Sequence, residues 1–392
     1  MDADVGVVGV GSVGSMALWR LRKAGLSAIG FEQFSPGHGL GGAGGETRYF
    51  RTAYAEGHEY VPLLLSSYEL WSELETAARA EFVWNCGFIT IGPQDESRFA
   101  GAKACADAAG IVCEILDGRE AGARYPQHRY RSDDFVLVDG SGGLYASEYA
   151  VACAARVAEE AGATIHRQTR VDRLLPDADG VTILAGDRSF RVGKVVVTTG
   201  GWASELLPEV IEVLEPRRTW QSWYFATDPE PFVPERFPPF GRTIDGLRLH
   251  GAPTLDRRFV CIGAVEELPE TLIEDDYLGR RLLPDMSVVN DYVREYFVGL
   301  SPDPVRVMPA VDGYTLDEHA LVGLHPNADH VVVLCGFSCH GFKLAPVMGQ
   351  IAVDLATSGA TSHPIEHLRI GRFGGAPDAG GAAVANGDRS PW

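Results

Sequence analysis

The sequence predicts an α/β fold, with a layered domain on a largely parallel sheet interleaved with a second, mainly antiparallel β domain. Three observations predict it. The chain opens as strand, glycine turn, helix, strand, the βαβ unit that joins parallel strands. A short apolar strand at 331–334, followed by a glycine-containing block and a helix, returns to the same texture late in the chain. Between them, residues 216–309 are richer in Pro and aromatics, with no long Ala-type helix until about 285–298.

In order, residues 4–9 form a short buried strand, and Gly9, Gly11 and Gly14 make G-x-G-x-x-G. A helix follows with Met16, Leu18, Trp19, Leu21 and Leu26 as apolar positions, and it closes at Gly25. The second strand, 28–31, ends at Glu32. Residues 35–47 hold Gly37, Gly39, Gly41, Gly42, Gly44 and Gly45, a backbone that can approach a ligand closely, and Arg48 and Arg51 follow. Residues 60–79 read as a helix whose Leu64, Tyr68, Trp71 and Leu74 stripe is core packing. A strand is expected over 82–92 and an amphipathic helix over 96–109. Ser147 is expected to cap an Ala-rich helix over 148–161 that stops at Gly162. Strands follow at 164–168, 181–185 and 189–198. After the strand at 331–334, a helix runs through Leu355 and is capped by Gly359. The Gly-, Ala-, Pro- and Asp-rich stretch 374–392 is expected to be a disordered tail. The first domain then comprises 1–83, 145–215 and 316–373, and the second 84–144 and 216–315.

Lys plus Arg number 34 against 53 Asp plus Glu, a net charge of −19. That excess speaks against nucleic acid and anionic membrane surfaces as partners, and reads as solubility. The seven Cys show no C-x-x-C spacing, so free thiols and no metal site are expected. No apolar run reaches the roughly 18 residues of a membrane span, and the Gly-rich first strand does not read as a signal peptide. A cytoplasmic location is the expectation.

Each glycine of the first turn has its own task. Gly9 permits the turn, Gly11 lets backbone approach a pyrophosphate, and Gly14 lets helix pack on strand. The helix N-terminus then presents unpaired N–H groups to phosphate, and Glu32 can accept from ribose hydroxyls. Together these predict a dinucleotide site. The Gly-rich, Arg-ended segment 37–51 and the strand ending in Gly200-Gly201 favour FAD over NAD.

Three blocks then carry a family resemblance. The first is Phe34-Ser35-Pro36-Gly37-His38, Gly45-Glu46-Thr47-Arg48 and the run from Tyr54-Ala55-Glu56-Gly57-His58 to Pro62. The second is Tyr314-Thr315-Leu316-Asp317-Glu318-His319, and the third is the run from Gly336-Phe337-Ser338-Cys339 to His340-Gly341-Phe342-Lys343. In order and spacing the chain resembles the monomeric sarcosine oxidase and N-methyltryptophan oxidase family, within the D-amino-acid oxidase superfamily. The resemblance covers about 4–370. It implies a glutathione-reductase-type FAD-binding domain with a β-sheet substrate domain, and oxidation of a C–N bond in a secondary amine, usually an N-methyl amino acid. Besides Gly9, Gly11, Gly14 and Glu32, it implies cofactor contacts from Val13, Gln33, Thr47, Arg48, Val171, Gly200, Trp202, Gly341, Phe342 and Lys343. Arg51 and Lys343 match the pair that holds the substrate carboxylate, a sensible task for two cations. His340 matches a residue beside the flavin, and with Arg51 and Lys343 it makes up the expected catalytic set.

Three departures qualify what is carried over. The family anchors FAD through a Cys just before the Asp-Glu-His block. Here that position is Ala310 in an ungapped alignment or Asp312 in one aligned on Tyr314-Thr315, and 309–313 contain no Cys. FAD is therefore expected to bind non-covalently. The family's Lys over the flavin, which assists the reaction with oxygen, aligns with Cys261, so Cys261 marks the candidate oxygen site. Finally, a pocket Tyr falls near Leu249 or His250, and a second pocket aromatic is Tyr314 or, in the ungapped alignment, Asp312. A buried Asp312 prefers a cationic partner, either a substrate ammonium or Lys343 or an Arg. His250, Asp312 and Tyr314 thus join Arg51 and Lys343 as substrate-binding candidates. The expected activity is FAD-dependent oxidation of a carboxylate-bearing secondary amine to the imine, with oxygen as acceptor. The alternatives are a dehydrogenase using another acceptor and a non-catalytic FAD-binding protein.

Overall fold

A computed structural model describes residues 1–207, 213–265 and 286–373. The expected tail from 374 lies outside the described residues.

The N-terminal strand Ala3–Val8 is buried at Val5, Val7 and Val8, as a central parallel strand covered on both faces should be. It pairs in parallel with Ala28–Phe31 on one side and with the second half of Arg188–Val197 on the other. Thr164–His166 extends the sheet beyond Ala28–Phe31. On the opposite side Ala328–Cys335 joins in parallel, with Val195, Val196 and Val197 beside Val331, Val332 and Val333. Leu321–His325 then closes that side antiparallel. The first half of Arg188–Val197 leaves this register for an antiparallel meander with Gly180–Ala185 and Arg173–Asp177.

Helices Ser12–Lys23, Ser147–Glu160 and Ala345–Ser358 pack together on the sheet. Their contact is close: a Cβ on Gly349 would stand 2.7 Å from the Met16 carbonyl carbon. No helix among the described residues is long and apolar enough to cross a membrane.

The second sheet runs Leu300–Thr315, Leu214–Ala226, Phe259–Val265, Leu247–Pro253, Phe240–Ile244, Phe88–Gly92, Phe135–Asp139, Cys113–Asp117. Every pair in it is antiparallel except Phe240–Ile244 with Phe88–Gly92. That pair joins two distant chain segments into one sheet. A smaller sheet of Thr47–Phe50, Gly143–Ala146 and Val83–Trp84 lies at the passage between domains.

Some expectations need correction. The strand expected over 82–92 is two strands, broken where Gly87 turns at φ 81°. Ser147 is the first helical residue rather than the cap. Its hydroxyl donates to the Ala43 carbonyl and so ties the helix start to the glycine-rich segment. The strand Arg173–Asp177 and the helix Gly118–Arg124, which is closed by an Asp117–Glu120 capping box, were not foreseen.

Candidate active site

The first βαβ unit opens onto a long cleft between the two domains. Gly9 turns at φ 86°, where a Cβ would stand 2.7 Å from the Thr198 carbonyl oxygen. A Cβ on Gly14 would stand 1.9 Å from the Gly9 carbonyl oxygen, so only glycine lets the helix start this close to the strand. Gly11 differs: a Cβ there meets nothing within 4 Å and points into open cleft. The helix at Ser12 has no side-chain cap and no acid in its first turn, which leaves its N–H groups for an anion. Glu32 is buried at the end of the second strand, with Oε2 accepting from Val10 N at 2.9 Å and Oε1 from Phe34 N at 2.9 Å.

Of the expected cofactor residues, Gly9, Gly11, Val13, Glu32, Gln33, Arg48, Val171, Gly200, Trp202, Gly341 and Phe342 line the cleft. Gly14 acts behind it, in the helix–strand packing. Thr47 and Lys343 line neighbouring hollows instead.

Through Cys339, which lines both, the cleft adjoins a second, cation-rich pocket. Arg51, His250, Tyr314, His340 and Lys343 line this pocket, together with Glu56, Arg98, Arg248, Glu318 and Cys339. Arg51 donates to both oxygens of Glu56, at 2.8 and 3.1 Å, and Arg98 donates to the same carboxylate at 2.7 Å. Burial opposes the Glu56 charge, but Arg51 and then Arg98 outweigh it and hold the carboxyl well below its usual range. Burial likewise opposes the Arg51 charge, and Glu56 more than restores it. The guanidinium of Arg51 lies 5.2 Å from the ring centroids of Tyr54 and Phe88. Lys343 is buried, and burial followed by Arg51 pushes its pKa down to about 7. Burial, then Arg48, Arg51 and Arg248, pushes His250 down to about 3, so it is a neutral ring.

His340 lines the pocket, yet both ring nitrogens are engaged, Nδ1 with Tyr54 Oη at 2.7 Å and Nε2 with the Glu318 carbonyl at 2.7 Å. Burial pushes it down to about 4. Both ring nitrogens are thus committed to partners within the protein.

Asp312 also departs from expectation. It lines the cleft and a third hollow, not the Arg51 pocket. Its oxygens accept from backbone, Gly313 N at 2.8 Å and Cys339 N at 2.7 Å, rather than from a cation. Burial raises its pKa, with those two N–H groups opposing. Tyr314, the other candidate, does reach the Arg51 pocket, and its hydroxyl donates to Cys339 Sγ at 2.8 Å. The third hollow holds Cys261, Gln221, Arg48 and Asp312. Gln221 Oε1 accepts from Arg48 at 3.4 Å and from the Cys261 thiol at 3.6 Å. Burial pushes that thiol up to about 12, so Cys261 adds no charge there.

The sequence profile of the FAD dependent oxidoreductase (DAO) family matches residues 4–355. The chain belongs to this family. It is 32% identical over 386 residues to the monomeric sarcosine oxidase of Streptomyces avermitilis, covering 95% of this chain and 98% of that one. It is 29% identical to the N-methyl-L-tryptophan oxidase of Salmonella enteritidis, covering 95% and 100%. Among solved structures, the open form of NikD, an unusual amino acid oxidase, superposes with a TM-score of 0.82 at 24% identity, covering 94% and 97%. The L-proline dehydrogenase of P. horikoshii superposes at 0.78 and 19% identity, covering 95% and 98%. The chain is thus an FAD-dependent enzyme, with the Rossmann-like and sheet-rich domains of the DAO fold.

The cleft's own residues fit FAD. Gly11 leaves room where a side chain would intrude, the helix N-terminus beside it is uncapped, and Thr199 Oγ1 is buried in the lining without a hydrogen-bond partner among the described residues. Sequence reasoning missed Arg98, Glu56, Tyr54, Gln221 and Cys339 as site residues. Glu56, Tyr54 and Cys339 stood inside quoted blocks. Arg98 sits in the first turn of helix Ser97–Ala109, and no motif marks it.

Proposed function

We propose that this DAO-family enzyme oxidises a carboxylate-bearing secondary amine, an N-methyl or cyclic amino acid, to its imine, with FAD held non-covalently. The observation that carries the reading is the convergence of Arg51 and Lys343 in one pocket whose wall, through Cys339, is shared with the cofactor cleft. A substrate carboxylate gripped there places the amine end toward the cleft. Arg51 keeps N–H groups beyond the Nη2 amino group bound to both Glu56 oxygens, and Lys343 keeps one beyond its two bonds to described residues. Tyr49, Phe88 and Tyr314 wall the pocket with rings, and His250 adds a neutral one, so the site is apolar around a charged grip. FAD, when bound, supplies the chemistry by accepting the electron pair of the cleaved C–H bond. The protein groups bind and orient. No side-chain base is needed when the amine is neutral, and His340 is not placed to act as one.

The test is anaerobic addition of amines to the purified holoenzyme. N-methyl or cyclic amino acids should bleach the flavin, and the matching amines without a carboxylate should not. Bleaching by both alike would reject the grip. Bleaching by neither would reject the substrate class.

One observation favours a second reading of the acceptor. Where the resemblance places a lysine for the oxygen reaction, this chain has a neutral Cys261 thiol. That favours slow turnover with oxygen and a different electron acceptor.

A further inference from the structure

A line of hydrogen bonds runs behind the carboxylate grip, and elementary chemistry fixes its direction. The Glu318 carbonyl oxygen can only accept, so His340 Nε2, 2.7 Å away, carries the ring proton and donates. In a neutral ring Nδ1 must then accept, and Tyr54 Oη donates to it at 2.7 Å. With its proton committed there, the Tyr54 oxygen presents lone pairs to Lys343 Nζ, which donates at 3.2 Å. Nζ donates a second time, to the His340 carbonyl at 2.8 Å. Two of the three ammonium hydrogens are placed, and the third is left for a ligand.

Tyr54, His340 and Lys343 are all buried, and Tyr54 does not itself line the pocket. The charged and titratable groups facing Lys343 come from several elements. Arg51 and Glu56 follow strand Thr47–Phe50, Arg98 comes from helix Ser97–Ala109, and Cys339 and His340 come from its own loop. His250, Arg248, Tyr314 and Glu318 line the same pocket from the second sheet and the turn after it. Burial and Arg51 work against the ammonium form and bring Lys343 to about 7, with Glu56 opposing them. The groups that accept from Nζ favour the ammonium form against that balance.

We propose that Tyr54 is a positioning residue for the grip: relayed by His340, it holds Lys343 as an aimed ammonium and so sets the upper pH limit of anion binding in the pocket. The inference rests on reading Arg51 and Lys343 as the carboxylate grip. Lys343 binds an anion in its protonated form. Affinity should then be flat on the acid side and fall as pH rises through about 7.

The experiment titrates the holoenzyme with acetate, a carboxylate without an amine, and follows the perturbation of flavin absorbance from about pH 5 to 9. In Tyr54→Phe with flavin still bound, the break should move to lower pH by about one unit, the scale of one lost hydrogen bond to a charged group. His340→Gln, which breaks the line one step further on, should move it the same way and serves where Tyr54→Phe loses flavin. Tyr60→Phe is the control. Its ring packs edge-on against Tyr54 at 5.2 Å, but its hydroxyl bonds His319, off the line. The break should stay in place there and vanish in Lys343→Met. A wild-type break that Tyr54→Phe leaves in place, or that Tyr60→Phe moves equally, overturns this inference alone. A wild type that binds no acetate at any pH overturns the carboxylate reading and the inference with it.

Discussion

Arg51 and Arg98 share one carboxylate, Glu56, while among the described residues Lys343 Nζ bonds a hydroxyl and a carbonyl. The pocket thus holds cationic N–H groups with capacity to spare for an anion. Removing one partner of a buried charge-assisted contact costs about 2–5 kcal/mol. Arg51→Ala or Lys343→Met should therefore weaken binding of a carboxylate substrate by more than about tenfold with flavin still bound. Stopped-flow reduction at varied substrate concentration measures this, and an unchanged dissociation constant would refute the grip. Cys261 supports a second prediction at this scale. Its thiol is neutral, and the two cations lining that hollow are engaged, Arg48 with the Gln221 side chain and the Gly42 and Thr47 carbonyls, and Lys343 with the Tyr54 hydroxyl and the His340 carbonyl. Losing one preorganised electrostatic group costs about 2.7–4 kcal/mol, roughly 100- to 1,000-fold in rate. Air should therefore reoxidise the reduced enzyme slowly, an artificial acceptor should do so faster, and Cys261→Lys should speed the oxygen step without changing anaerobic reduction. Rapid native reoxidation would hand the task to another cation of the hollow, Lys343 or Arg48.

The opening βαβ element separates two kinds of glycine, and mutation should do so too. Gly14→Ala drives a methyl against the Gly9 carbonyl, which is backbone and cannot swing aside. It should destabilise the protein by about 1–3 kcal/mol, seen as a lower Tm even without flavin. Gly11→Ala meets no atom within 4 Å among the described residues beyond its chain neighbours. It should leave the Tm of the flavin-free protein unchanged and weaken FAD binding by about tenfold or more, measured by flavin fluorescence quenching. A Gly11→Ala protein that binds FAD normally would mean the cofactor does not approach there. This element was legible in the sequence because its signals are local: a buried strand, a turn only glycine permits, and an acid closing the next strand. The late block at 336–343 was legible for the same reason. The second sheet was not legible in its order. Phe88–Gly92 finds its parallel partner at Phe240–Ile244, and Cys113–Asp117 buries only Leu116, so no alternation betrays it. Arg98 was invisible likewise, because only the docking of its helix brings it to Glu56. Asp312 entered through an ungapped alignment, which does not show that the backbone N–H groups of Gly313 and Cys339 hold its oxygens.

At the scale of the whole molecule, the cofactor cleft is a junction. It takes its lining from the first strands, the glycine-rich segment, the loop at Thr169–Asp172, the turn at Thr198–Gly200, Val311 and Asp312 of the second sheet, and the 337–342 block. A ligand touching both domains stabilises them jointly, since it binds the folded chain and not the unfolded one. FAD at a hundredfold excess over its dissociation constant adds about 2.7 kcal/mol. Removal of FAD should lower the Tm, and flavin fluorescence should rise in the same transition that unfolds the protein. The decisive point is how the cofactor is held. Neither Ala310 nor Asp312 supplies a thiol, and Cys335 is buried in the sheet core. Cys339, however, lines the cleft. Its thiol is exposed, accepts from Tyr314 and lies beside the Asp312 carboxyl, a neighbour that disfavours the thiolate that bonds to carbon. Acid precipitation should therefore release all yellow colour to the supernatant, in wild type and in Cys339→Ser alike. Flavin that stays with the wild-type pellet but not with the Cys339→Ser pellet would show that this chain moved its anchor to the loop facing Asp312.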